Sequence, residues 1–324
     1  MITLQFVHVL FCQRNKESAS PMVTKVDPKS VKLLKAATYA SVSFAIFLLI
    51  IKFIAWVATD SVSIQASLVD SLVDTLASLV NFFAIRHAII PADNEHRFGH
   101  GKIEAVAAQG QSIFIAGTAL WLGFEAFHRM IQPEPVQETP LGLAVISVTI
   151  VLTLGLVAFQ KYVISKTNST IIKADHLHFK GDLFLNISVI ASLLLSSKLG
   201  WLFIDPLCGL LIGGYIMYTS WSIAKEAFHI LIDRELPDSD REKIKTVVLG
   251  NKDVLGFHDL KTRSSGPSRF IQLHLEMDGE ITLLKAHDIA VDVAKSLREA
   301  FPQTEVIIHQ DPHDDSHHDA SFKD

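Results

Sequence analysis

Cysteine is nearly absent from this 324-residue chain, with Cys12 and Cys208 as its two examples. Two thiols so far apart build neither a disulfide framework nor a Cys-rich metal site. Net charge is scarce as well, because 29 Lys and Arg against 34 Asp and Glu leave a formal charge of −5. A balance so small and mixed gives no electrostatic footprint for nucleic acid and no surplus that calls for an acidic partner. The apolar run Ile2–Phe11 does not read as a secretory signal, since it starts beside Met1 without a basic lead. Met22 precedes a polar, basic stretch, so translation is expected to begin there and residues 1–21 to be dispensable.

What the chain has in excess is apolar residues, 49% of the total, with a mean hydropathy of +0.33. That is too apolar for an ordinary soluble domain, and the excess is confined to the first two thirds. Runs near 36–58, 62–90, 104–131, 140–164, 177–200 and 203–231 each approach the length needed to cross a bilayer, about 20 residues. Lys25, Lys29, Lys32 and Lys35 precede the first run, Arg97 and Lys102 follow the second, and Lys161, Lys166, Lys173 and Lys180 separate the fourth from the fifth. The alternate loops are poor in positive charge, so six spans with both termini in the cytoplasm are expected.

The organisation read from this pattern is a cytoplasmic segment at 1–35, an all-α six-helix transmembrane domain at 36–232, a cytoplasmic domain at 233–312, and a polar, disordered tail at 313–324. Periodicity predicts a helix over 238–250, strands over 255–263 and 269–277, a helix over 283–301 and a strand over 304–309. The order αββαβ implies an α+β fold with an antiparallel-rich sheet covered on one face.

Two charged pairs stand inside the apolar runs. Asp70 and Asp74 are four residues apart in SLVDSLVDTLASLV and so share a helix face. An ionisable group at a helix centre costs about 2.5–3.5 kcal/mol on insertion scales, so such residues face a cavity or partner. A polar seam between packed helices is the plainer alternative. His178 and Asp182 repeat the spacing at the start of the fifth span. Together the pairs offer three carboxylates and one imidazole, a set that satisfies tetrahedral Zn²⁺ and offsets its charge. Protons compete for the same lone pairs, which gives a physical basis for exchanging metal against H⁺.

Other donors are less specific. Asp93, His96 and His100 follow the second span at a spacing that can converge on one ion, although solvated loop groups look the same. His258, His274, His287, His309 and Asp311 are spread over the soluble domain, where isolated histidines are usually not ligands. Asp259, Glu276 and Gln310 flank them, either as groups that hydrogen-bond and orient the ligands or as plain surface groups. His313, His317 and His318 read as part of the disordered end.

The segments Leu68–Asp74, Pro91–Lys102, Ala174–Asp182 and Ile307–Pro312 resemble the cation diffusion facilitator family, in its bacterial ferrous-iron and zinc efflux branch, and the likeness spans about residues 30–312. The resemblance implies a homodimeric antiporter of the bacterial inner membrane that exports Zn²⁺, with Cd²⁺ and Fe²⁺ as further substrates and H⁺ as counter-ion. It assigns Asp70, Asp74, His178 and Asp182 to a transport site midway through the bilayer, and Asp93, His96 and His100 to a loop site. It assigns His258, His274, His287, His309 and Asp311 to a two-ion cytoplasmic site, bridged by Asp311, in a domain of metallochaperone-like fold that meets its copy at the two-fold axis. Lys102 and Asp233 match an interlocking charge pair at a hinge; ordinary juxtamembrane charge is the plainer reading. His178 stands where the manganese branch tends to place aspartate, which favours Zn²⁺ and Cd²⁺. Two rival classes remain: an intramembrane metalloenzyme, for which no HExxH is present, and a membrane-bound metal sensor, which leaves the charges in spans two and five unexplained.

Overall fold

A computed structural model describes residues 27–59, 62–131, 140–199 and 204–313. Six long helices come first: α1 (Pro28–Thr59), α2 (Val62–Ala88), α3 (Lys102–Ile131), α4 (Pro140–Thr167), α5 (Thr170–Leu199) and α6 (Ile204–Leu231). At about 1.5 Å per residue each is roughly 40–48 Å long, more than the hydrocarbon core of a bilayer requires. Five of them are apolar enough to cross a membrane among the described residues. In α5 the charges Lys173, Asp175, Lys180 and Asp182 are gathered in the first half, ahead of an apolar run.

This half of the molecule exposes large apolar side chains and buries polar ones among its apolar core. Trp121 and Phe124 of α3, and Tyr218 and Trp221 of α6, are about two thirds exposed or more, at 67, 70, 75 and 70%. Ser41, Asn81, Gln160 and Asp175 are buried. Such an arrangement suits lipid, where apolar surface costs nothing and polar groups must find partners inside. Asp175 of α5 accepts hydrogen bonds from Ser41 of α1 at 2.6 Å, Asn81 of α2 at 2.9 Å and Gln160 of α4 at 2.8 Å. One carboxylate thereby joins four helices. α3 pairs chiefly with α6, where Gly209 and Gly213 lie against Ala126 and Ala119.

The expected loop between the fourth and fifth spans is reduced to Asn168 and Ser169. Lys173 and Lys180 are helical, and His178 lies more than two turns inside α5 instead of at its start. Hydropathy marks where a helix becomes apolar, whereas the helix itself begins where its hydrogen bonds do.

The second half contains α7 (Asp238–Leu249), β1 (Gly256–Ser265), β2 (Ser268–Met277), α8 (Leu283–Ala300) and β3 (Thr304–Pro312), in the αββαβ order expected. The sheet is mixed, a correction to the antiparallel-rich expectation: β1–β2 is antiparallel and β2–β3 is parallel. Ile271, Leu273, Leu275 and Met277 alternate into a core with Ile244 and Val248 of α7 and Val293 and Leu297 of α8. Period-two geometry then sends His274 and Glu276 to the opposite, uncovered face. His313 does not behave as tail: its N–H donates to the Met277 carbonyl at 2.8 Å. Residues 1–21 with Met22, and His317 and His318, lie outside the described residues.

Candidate metal centres

Within the membrane domain, α2 and α5 bring Asp74, His178 and Asp182 together, with donor atoms within 4.8 Å of one another. His178 Nε2 is 2.9 Å from Asp74 Oδ1 and 3.8 Å from Asp182 Oδ2. The i, i+4 spacing places His178 and Asp182 on one face of α5. Asp70, one turn before Asp74, stands outside that triple but lines the same cavity of about 180 Å³, with Asp74 and Asp182. Lys52 of α1 also lines it, and its Nζ donates to the Ser67 carbonyl at 3.2 Å. The sequence reading missed Lys52, although a lone cation in LLIIKFIAW was a visible signal.

A second cluster forms in the loop between α2 and α3. Asp93 Oδ1 accepts from the N–H groups of His96 at 2.6 Å and Glu95 at 3.0 Å. Those bonds, the His96 one first, hold its carboxyl below the usual carboxylate range, and His100 and His96 add to the effect. His96 Nδ1 and His100 Nε2 stand 3.6 and 3.5 Å from the two carboxylate oxygens. Among the described residues His100 Nδ1 is buried without a partner, so none of them fixes that ring from behind.

The third cluster follows from sheet register. His258 faces His274, and His274 faces His309, so three imidazoles form one row across β1, β2 and β3. Asp311 reaches all three: His274 Nδ1 at 2.8 Å, His309 Nε2 at 3.1 Å and His258 Nε2 at 3.5 Å. The pairing is irregular between His258 and Lys261, and Asp259 there has φ of +50°. Its carboxylate ends 3.7 Å from His274 Nε2. Lys261 beside it, at 2.8 Å, holds that carboxyl below the usual range.

Glu276 supports the row from behind. Its carboxylate takes His258 Nδ1 at 2.9 Å and His313 Nδ1 at 2.8 Å. Burial pushes this carboxyl up, but hydrogen bonds from His313 and His258 outweigh it and leave it below the ordinary value of 4.5. With Nδ1 so engaged, His258 presents Nε2 toward Asp311, the arrangement in which a carboxylate orients a metal-ligating imidazole. Two imidazoles and a carboxylate within 4.8 Å suit a borderline dication such as Zn²⁺. His287, exposed on α8, does not join this cluster within one chain.

Where the two halves meet, Lys102 Nζ pairs with Asp233 Oδ1 at 2.9 Å and donates to the Leu231 carbonyl at 3.3 Å. Arg263 also reaches Asp233, at 3.4 Å, and lies over the rings of Phe98 and Phe270. A Cβ on Gly101 would stand 2.2 Å from the Ser265 carbonyl oxygen, so the tip of the β1–β2 hairpin seats on the start of α3 only because that position is glycine.

Membrane-length helices whose charged side chains line a common cavity, joined to a second domain with its own donor cluster, define a membrane transporter for cations. Comparison with known proteins agrees. A family model described as the cation efflux transmembrane domain matches residues 38–232, and one described as the cation efflux protein cytoplasmic domain matches residues 236–313. The chain belongs to the cation efflux family, as a multi-pass membrane transporter and not an enzyme. It is similar to the cation-efflux pump FieF of Yersinia enterocolitica, 46% identical over 287 residues that cover 89% of this chain and 95% of the relative. FieF of Shewanella oneidensis is 47% identical over 279 residues, covering 86% and 94%.

Proposed function

We propose that this chain is a proton-coupled antiporter that exports divalent transition metals from the cytoplasm by alternating access, Zn²⁺ first, with Cd²⁺ and Fe²⁺ as further substrates. The observation that carries the proposal is the contact between His178 Nε2 and Asp74 Oδ1 at 2.9 Å. An ionised carboxylate only accepts, so that hydrogen bond holds a proton between the two groups. A dication taking both lone pairs displaces it, and returning protons displace the ion. Asp70, Asp74, His178 and Asp182 are the proposed ligands in transit, and rocking of the helices that carry them alternates access.

Asp93, His96 and His100 are proposed as a weaker loop site. His258, His274, His309 and Asp311 are proposed to hold cytoplasmic metal that favours a compact homodimer. His287 enters as a donor supplied across the dimer axis. Lys102 and Asp233 are proposed to keep the two halves in register at a hinge. The setting that fits is a bacterial inner membrane with both termini in the cytoplasm.

The test is Asp74→Ala in proteoliposomes carrying a pH gradient. Zn²⁺ flux and the accompanying proton flux are expected to fall together to background. Undiminished Zn²⁺ flux would refute the site, and Zn²⁺ flux in the unaltered protein without proton movement would refute the coupling.

A further inference from the structure

Among the described residues, the cavity shared by Asp70, Asp74 and Asp182 has one cationic wall, Lys52 of α1. Its bond to the Ser67 carbonyl fixes the ammonium near the start of the helix that carries both aspartates. A cation inside an apolar span persists where a partner or a function compensates its cost. An ammonium has three donors and no lone pair, so Lys52 cannot itself ligate a metal. Charge counting supplies a role. Three ionised carboxylates exceed a dication by one charge, and Lys52 cancels the surplus.

We infer that Lys52 is a built-in counter-cation of the ion path, which holds down affinity for the dication so that the ion departs. The inference rests on the proposed assignment of Asp70, Asp74, His178 and Asp182 as transport ligands. Without Lys52 the surplus carboxylate charge binds the dication more tightly and slows its release. With Lys52 present, the ammonium repels the ion and draws the same carboxylates back when it leaves. The Ser67 bond keeps that charge at a fixed place, close enough to act and unable to be carried off with the cargo.

The experiment measures Zn²⁺ flux in proteoliposomes for the unaltered chain, Lys52→Met, Lys52→Arg and Asp74→Ala. Lys52→Met is expected to lower the apparent KM about tenfold and kcat by a similar factor, a modest part of the Coulomb energy between a unit charge and a dication at low dielectric. Lys52→Arg keeps the charge and is expected to stay within about twofold of the unaltered protein on both. A Lys52 that merely ties α1 to α2 would lower kcat or raise KM without tightening, and that result, or an unchanged KM, overturns the inference. Should Lys52→Met aggregate, Lys52→Gln against Lys52→Arg is read in its place by the same criteria. Asp74→Ala separates the two layers: retained flux there removes the ligand assignment and the inference with it. Abolished flux there, beside a Lys52→Met that behaves as unaltered protein, removes the inference alone.

Discussion

The membrane cluster and the cytoplasmic cluster use the same donor types on opposite scaffolds. Asp74, His178 and Asp182 sit together on two helices, and Asp74 and Asp182 line a cavity that Lys52 also lines. His258, His274, His309 and Asp311 sit on three neighbouring strands, on the uncovered face of the sheet, with the His309 side chain 66% exposed. In the first, an unpaired charge is costly, so His178 bonds to Asp74 with Asp182 close by, and little change is expected to be tolerated. In the second, water solvates whatever the cluster leaves unsatisfied, and the geometry comes from strand register at small cost. The same substitution therefore has unequal consequences in the two places.

The largest expected effect is at the membrane site. Asp182→Asn is expected to lower Zn²⁺ flux in proteoliposomes by about 100-fold or more, equivalent to roughly 2.7 kcal/mol in the transport barrier. Flux above about a tenth of the unaltered rate would detach Asp182 from the ion path and erase the contrast. Next comes Asp311→Asn, which removes the carboxylate that touches all three imidazoles of the row. Metal affinity of the cytoplasmic cluster is expected to fall by about 10–100-fold, read by calorimetry on the full chain with Asp74→Ala and Asp93→Ala silencing the other clusters. Flux at saturating Zn²⁺ should stay within about fivefold, the low end of coupling between distant sites. An Asp311→Asn protein as inactive as Asp182→Asn would show that the two clusters are not separable.

How legible each cluster was follows the same division. Asp70, Asp74, His178 and Asp182 announced themselves because a charge in an apolar run has few plain explanations. Lys52 obeys that rule too, yet a single lysine has no spacing partner, and only the cavity joins it to the aspartates. The row of imidazoles was invisible to spacing, because it depends on the parallel pairing of β2 with β3 across the intervening α8. Alternation tells which face a residue takes, never which strand lies next to it. Likewise, nothing local marked the positive φ that turns Asp259 toward His274 or the bond that holds His313 to Glu276.

A smaller effect is expected one layer behind the row. Glu276→Gln keeps the shape but loses the charge that orients His258, and cytoplasmic metal affinity should drop about tenfold in the same calorimetric assay. The metal-free protein adds a pH signature. Since the folded carboxyl lies below 4.5, its stabilising contribution is fully present above that value and is lost as the pH falls through the lower folded value. The thermal midpoint of the unaltered chain should therefore decline more steeply below pH 4.5 than that of Glu276→Gln. Parallel curves would mean that His258 and His313 do not hold Glu276 in solution as they do here.

The smallest effect is expected where the two halves touch. Lys102 and Asp233 are 2.9 Å apart, but their side chains are 36 and 40% exposed, so water screens the attraction. Such a pair is worth about 0.2–1 kcal/mol, and Asp233 keeps Arg263 as a second cation when Lys102 is removed. Lys102→Ala should thus leave the thermal midpoint nearly unchanged, and a double-mutant cycle with Asp233→Ala should return a coupling below about 1 kcal/mol that shrinks with added salt. A larger, salt-insensitive coupling would mean that the pair is shielded in the membrane-bound dimer, and the junction would then belong with the costly, intolerant charges of the membrane site. A small coupling combined with a large loss of flux would place the role of Lys102 in the moving protein instead of the resting one, as a hinge requires.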